Sequence, residues 1–168
     1  MAVDPNDKDV VYVGAFAAPG QNQHGLFKST DGGVTFSAAL PGSEGMDFAQ
    51  IAIDPGDPQA LYAACRQGGV YRSTDGGAHW SLSGSLPAGE TLGVVLDPQS
   101  LAHVFAWVQG QGLFRSNDRG ATWANVEADV SIRRSGAEAG RAGLVADPVF
   151  SGRVYLGNAG VVQIDTGP

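Results

Sequence analysis

Apolar and polar positions alternate in short runs along the chain, as in QIAID (50–54), ALYAAC (60–65), GVYRS (69–73) and HWSLS (79–83). A period of two, rich in β-branched and aromatic residues, predicts strands with one face turned inward. Asp-Pro, Gly-Gly and Asp-Gly-Gly separate the runs, and these are turn signals. No segment carries the 3.6-residue period of an amphipathic helix, so the pattern predicts an all-β chain.

The runs recur. MAVDP, IAIDP, VVLDP and LVADP place Asp-Pro at Asp4, Asp54, Asp97 and Asp147, and an aromatic follows each aspartate by eight positions (Tyr12, Tyr62, Phe105, Tyr155). Three longer boxes follow: GLFKSTDGGVTF, GVYRSTDGGAHW and GLFRSNDRGATW, with Asp31, Asp75 and Asp118 each six residues after a glycine. The fourth unit runs to GVVQIDTGP. Units of about 1–48, 49–91, 92–141 and 142–168 result, each with room for four strands. That is the size of one β-propeller blade, a four-stranded sheet that buries its faces against its neighbours. About three and a half to four blades are visible, so the propeller is expected to be incomplete, with neighbouring blades or a second copy needed to cover its end blades.

The box aspartates invite a chemical reading, but their recurrence favours a structural one. A calcium loop needs six or more oxygen ligands, and DGGVTF offers one carboxylate followed by apolar residues. A hairpin turn, by contrast, leaves amides that a short Asp or Ser side chain can accept. The second glycine (Gly33, Gly77, Gly120) is expected at positive φ, whereas the first position tolerates Arg119. Phe36, Trp80 and Trp123 are expected to anchor each turn in the core.

The boxes resemble the S/T-x-D-x-G-x-T/S-W/F pattern of the BNR/Asp-box repeat, found in sialidases, xyloglucan-cleaving endoglucanases, sortilin-type receptors and photosystem II assembly propellers. His79 departs from it where a hydroxyl is expected, and Ile164, Asp165 and Thr166 depart from it in the last unit. VDPNDKDVVYVG and IDPGDPQALYAA look closest to the xyloglucanase-like and sortilin-like branches. The resemblance implies a secreted or cell-surface propeller that takes either a polysaccharide or glycan, or a protein or peptide partner. It also implies that ligand sites lie at the blade end away from the boxes.

Loop lengths point to the same end. Tyr12 to Gly25 spans thirteen residues, against seven for Tyr62 to Gly69 and Phe105 to Gly112. From box aspartate to the next Asp-Pro is 23, 22 and then 29 residues. Insertions on one end of a repeat array mark a candidate binding face. Candidate ligand contacts there are Gln21, Asn22, Gln23, His24, Arg66, Arg133, Arg134 and Trp107. Trp107 stands where other units have Gly14, Ala64 and Gly157, and it can either stack on a sugar or fill a gap between blades. His24 can equally be a solvated loop residue, and the arginines can pair with Glu127, Asp129 or Glu138.

Charge and composition narrow the remaining classes. Ten basic and seventeen acidic residues give a net charge of -7, so the basic footprint of a nucleic-acid binder is missing. Nowhere do about 18 consecutive apolar residues suggest a membrane span. The single cysteine, Cys65, excludes an internal disulfide and a cysteine-rich zinc site, and no cofactor or metal is expected. A glycosidase needs two facing carboxyl groups, and Glu44, Asp47, Glu90, Glu127, Asp129 and Glu138 are the loop-end carboxylates. No motif selects a catalytic pair among them, and the Arg-Ile-Pro signature of sialidases is missing. If the parent protein is an enzyme, the resemblance is to a xyloglucanase more than a sialidase, with no complete catalytic site expected in this chain.

Overall fold

A computed structural model describes residues 1–15, 24–43, 45–126, 143–157 and 161–166. These residues form four antiparallel sheets with strands in chain order, as in propeller blades. Blade 1 contains β1 (Ala2–Val3), β2 (Val11–Ala15), β3 (Gly25–Ser29) and β4 (Ser37–Ala38). Blade 2 contains β5 (Phe48–Asp54), β6 (Asp57–Cys65), β7 (Val70–Ser73) and β8 (Ser81–Leu82). Blade 3 contains β9 (Thr91–Asp97), β10 (Ser100–Val108), β11 (Gly112–Ser116) and β12 (Ala124–Asn125). Blade 4 has three strands, β13 (Gly143–Ala146), β14 (Arg153–Gly157) and β15 (Val161–Asp165).

The period of two sorts each blade's side chains between two neighbours. Leu61, Ala63 and Cys65 join Tyr12 and Leu26 in the blade 1–2 core, while Tyr62, Ala64 and Val70 join Val94, Leu96 and Val104 in the blade 2–3 core. Phe105 and Leu113 meet Leu144, Val154 and Ile164 between blades 3 and 4. The first strands pack side by side toward the axis, β5 on β9 and β9 on β13. They line a shallow groove of about 410 Å³ that includes Pro55, Pro98 and Pro148. Gln50 Nε2 spans from blade 2 to the Leu144 carbonyl of blade 4 at 2.9 Å. Gly93 permits this approach, because a Cβ there would lie 2.8 Å from Leu144 Cβ and 3.2 Å from Gln50 Oε1.

The box turns repeat one hydrogen-bond set. Ser29, Ser73 and Ser116 accept the amide four residues on (Gly33, Gly77, Gly120) at 2.7–2.9 Å and donate their hydroxyls to Asp31, Asp75 and Asp118. Each aspartate accepts the amide four residues further on through Oδ1, at 2.8–2.9 Å. Its Oδ2 accepts the Thr35 or Thr122 hydroxyl, and in the second box His79 Nδ1 sits there at 2.6 Å. The imidazole therefore occupies the place of the missing hydroxyl. These bonds hold all three carboxyls down to about 2, led by the Thr35 hydroxyl for Asp31, the His79 amide for Asp75 and the Thr122 hydroxyl for Asp118.

Two sequence expectations about the box need correction. The first position after the aspartate is also left-handed, since Arg119 has φ 57° where Gly32 and Gly76 have 72° and 66°. Such a conformation costs a non-glycine residue about 1–2 kcal/mol. Phe36 is not a core anchor: it is 44% exposed, because no described sheet lies beyond that face of blade 1. Trp80 and Trp123 do pack against the inter-blade cores.

Box turns share an end with the Asp-Pro turns. The amides of Gly32, Gly76 and Arg119 donate to Asp9, Gln59 and Ala102, which lie between the first two strands of the same blade or at the start of the second. Asp4, Asp54, Asp97 and Asp147 each accept the amide two residues on. At this end, too, the blades are tied together. Tyr12 donates its hydroxyl to the Gly76 carbonyl of the blade 2 box at 2.7 Å, and Tyr62 donates to the Arg119 carbonyl of the blade 3 box at 3.0 Å. Burial, with Asp4 and Asp75 adding to it, pushes the Tyr12 phenol up to about 12, so it remains a donor at neutral pH.

Phe105 has no hydroxyl, and no box turn of blade 4 is present among the described residues. There Asp97 substitutes, accepting Ser151 Oγ at 2.7 Å and the Gly152 amide at 2.8 Å from blade 4. Burial works against the Asp97 charge, but bonds from Ser151, Gln99 and Gly152 outweigh it and hold the carboxyl below its usual range.

Two measurements check these ties. Tyr62→Phe removes one inter-blade hydrogen bond and should lower unfolding free energy by about 1 kcal/mol in urea titrations; no change would mean the bond is dispensable. The box carboxyls have depressed folded pKa values, so their stabilisation is complete above about pH 4 and lost as pH falls toward about 2. Melting temperature should therefore drop steeply over that interval, whereas a flat profile would contradict the turn chemistry.

Candidate functional site

Among the described residues, the opposite end is built from the β4–β5, β6–β7, β8–β9 and β10–β11 connections. At the blade 1–2 boundary, the Arg66 amide donates to the Asp47 carbonyl at 2.9 Å, and the Asp47 amide donates to Gln67 Oε1 at 2.8 Å. Gln67 Nε2 reaches the Gly45 carbonyl at 3.4 Å. The β6–β7 turn is thus clamped onto the β4–β5 connection. His24, immediately before β3, brings Nδ1 to 3.4 Å from Asp47 Oδ1.

From the same turn the Arg66 side chain crosses toward blade 3. Its guanidinium holds Glu90 Oε2 through Nε at 3.1 Å and NH2 at 2.5 Å. The Glu90 carbonyl accepts the Gln109 amide of the β10–β11 turn at 2.8 Å. A polar row therefore runs His24, Asp47, Gln67, Arg66, Glu90 across three blades. Arg66 and Glu90 are 37% and 46% exposed, so water already competes for their contact. Ion pairs of this kind contribute about 0–1 kcal/mol. Their donors and acceptors can be traded for ligand hydroxyls at small cost.

Of the residues singled out in the sequence, the structure brings His24 and Arg66 into this row. Trp107 is separate: it is half-buried on the blade 4 side of β10 and packs against the blade 3–4 core. The register defines a size series at this place. Phe48 pairs with Cys65 and Thr91 pairs with Val108, so both hold the same place at the loop end of a first strand. Where that place holds Phe48, the preceding blade supplies Gly14, whose Cβ would lie 2.7 Å from Phe48 Cβ. With Thr91 it supplies Ala64. Trp107 is the large member of this series, and its counterpart lies outside the described residues.

Arg133, Arg134, Gln21, Asn22, Gln23, Glu44, Glu127, Asp129 and Glu138 also lie outside them. Arg66 pairs with Glu90; Glu127, Asp129 and Glu138, the acids expected as partners for the arginines, lie outside the described residues. Gln67 carried no signal in the sequence, because its role depends on Asp47 arriving from twenty residues away.

No family model matches the chain. It is 31% identical to the xyloglucanase Xgh74A of Acetivibrio thermocellus over 53% of its own length and 13% of that protein. A xyloglucanase of a Paenibacillus species is 31% identical over 53% of the chain and 10% of that protein. The chain thus spans a small part of the curated relatives it matches.

Among solved structures, an ancestral GH74 enzyme superposes with a TM-score of 0.74 at 22% identity, covering 98% of this chain and 22% of that one. A GH74 xyloglucanase from Xanthomonas campestris gives 0.64 at 20% identity, covering 97% and 28%. YCF48 bound to D1 peptide gives 0.54 at 18% identity, covering 92% and 50%. At these identities the structural likeness establishes the fold: the chain is a partial β-propeller of four sheets.

If the polar row is a recognition surface rather than a structural strut, Arg66→Ala and Glu90→Ala should each change unfolding free energy by less than about 1 kcal/mol. A loss of several kcal/mol in chemical denaturation would assign the pair to the fold instead.

Proposed function

We propose that the chain forms part of the polysaccharide-binding cleft of a glycoside hydrolase-like propeller of the xyloglucanase kind. The observation that carries this reading is the half-exposed polar row from His24 to Glu90 at the end away from the boxes. Its guanidinium, carboxylates and amide are the donors and acceptors that sugar hydroxyls need, and Trp107, separate from the row at the loop end of β10, offers a further aromatic surface. The similarity to xyloglucanases over about half the chain supports the same ligand class.

The three boxes are read as Asp-boxes of the BNR repeat, and their common hydrogen-bond set supports that reading. Asp47 and Glu90 contribute binding rather than bond cleavage in this proposal, since each faces a partner, His24 or Arg66. The catalytic carboxyl pair of the parent protein is therefore not assigned to them.

Titration with a xyloglucan oligosaccharide, followed by amide chemical shifts, tests the proposal. Shifts should centre on residues 45–47, 66–67 and 90, and Arg66→Ala should weaken binding about tenfold, the loss expected for one charge-assisted contact. Trp107→Phe keeps an aromatic in the blade 3–4 core and should reduce affinity without lowering the melting temperature. Shifts confined to the box end, or equal binding by Arg66→Ala, would overturn the assignment.

A further inference from the structure

Asp47 and Glu90 hold the same place in consecutive blades. Each stands immediately before a first strand at the loop end, and the carbonyl of each accepts an amide from the turn after its own blade's second strand, Arg66 onto Asp47 at 2.9 Å and Gln109 onto Glu90 at 2.8 Å. Gly89 lets the second of these connections lie close on its turn, because a Cβ there would stand 2.8 Å from Val108 Cγ1 and 3.1 Å from the Gln109 carbonyl oxygen. The repeat thus sets one carboxylate on each of the two blades. Arg66 lies between them, on the turn that touches Asp47, and its side chain takes the carboxylate of the next blade.

The form of that contact leaves specific atoms over. Nε at 3.1 Å and Nη2 at 2.5 Å both donate to Oε2, so one whole edge of the guanidinium is spent on a single carboxylate oxygen. Among the described residues no hydrogen bond engages Arg66 Nη1 or Glu90 Oε1, and both side chains reach solvent. A donor and an acceptor therefore stand on one planar, pre-organised pair. Adjacent sugar hydroxyls match that combination, because each hydroxyl can accept one hydrogen bond and donate another. The pair also cancels its own charge, and Asp47 adds a second carboxylate to the row. A sugar carboxylate would have to displace Glu90 from Arg66 and leave a like charge unpaired beside it, which is a cost built against anionic ligands.

We infer that Glu90 is a specificity-determining residue: by masking the Arg66 charge and offering Oε1 beside Nη1, it makes the pair a reader of adjacent hydroxyls on an uncharged sugar and turns uronates away. This rests on the reading of the row as part of a glycan cleft. Arg66 supplies the donor edge, and Glu90 decides which ligands can use it. Replacing the Glu90 charge alone converts the same place into an open guanidinium, the group best suited to a carboxylate.

Calorimetric titration of the chain with two probes of similar length, a xyloglucan oligosaccharide and an oligogalacturonate, tests this. The native chain should bind the neutral probe at least about tenfold more tightly than the acidic one. Glu90→Gln keeps the side-chain shape but uncovers the Arg66 charge, so it should weaken the neutral probe and tighten the oligogalacturonate about tenfold, the gain expected for one charge-assisted contact. Arg66→Lys keeps the positive charge but loses the planar donor edge, and it should weaken the neutral probe without admitting the acidic one. Equal affinity of the native chain for the two probes, or an unchanged preference in Glu90→Gln, would overturn the inference and leave the cleft reading standing. Binding of neither probe by the native chain would overturn both.

Discussion

A hydrogen bond from a tyrosine hydroxyl to a backbone carbonyl in the next blade's turn ties blade 1 to blade 2 and blade 2 to blade 3. It works only because the turn itself is rigid. Serine and aspartate side chains satisfy the amides that the tight hairpin leaves over, and two successive left-handed residues aim the carbonyl at the neighbouring blade. Gly120 shows how close the approach is, since a Cβ there would run into Ser83, whose hydroxyl donates to the Gly120 carbonyl at 2.7 Å. Trp123 ties the same two blades through Nε1 to the Ser83 carbonyl at 2.9 Å. In a repeat architecture each unit is stabilised mainly by its neighbours, so bonds of this kind pass order from blade to blade.

Rigidity at the box end leaves the other end free to vary. The apolar cores fix the strands, and the box and Asp-Pro turns fix their far ends, so the loop-end connections need only bridge between ordered positions. The polar row around Arg66 lies at that end, where Arg66 and Glu90 meet half-exposed and Gln67 clamps neighbouring connections. Half-exposed ion pairs contribute little to stability, and this makes them available for recognition.

Much of the fold is legible in the sequence because it depends on local chemistry repeated several times. Alternation in ALYAAC, glycines in the boxes and the eight-residue step from aspartate to aromatic all read directly into strands, turns and inter-blade side chains. What escaped depends on which sheet comes next. Phe36 and Trp80 occupy the same place in their units, yet Phe36 is exposed because only Trp80 has a neighbouring blade among the described residues. Arg119 reads as a tolerated substitution but adopts φ 57° because the hydrogen bonds around it over-determine the turn. The candidate site is less legible still: the pairing of Arg66 with Glu90, twenty-four positions away, follows from blade geometry and no local pattern announces it.

The contrast between Gly14 against Phe48 at one end of a junction and a tyrosine hydroxyl on a main-chain carbonyl at the other bears on how such arrays can be rebuilt by recombination. The carbonyl end accepts any unit that folds the same turn, whatever its side chains, and so behaves as a standard fitting. The loop end is bespoke, because a unit bearing a bulky residue in the place of Phe48 can follow only a unit that leaves the space of Gly14. Units moved singly would join correctly at one end and clash or leave a void at the other, whereas adjacent pairs exchanged together keep their internal match. Inheritance of blades in pairs is the pattern this asymmetry favours.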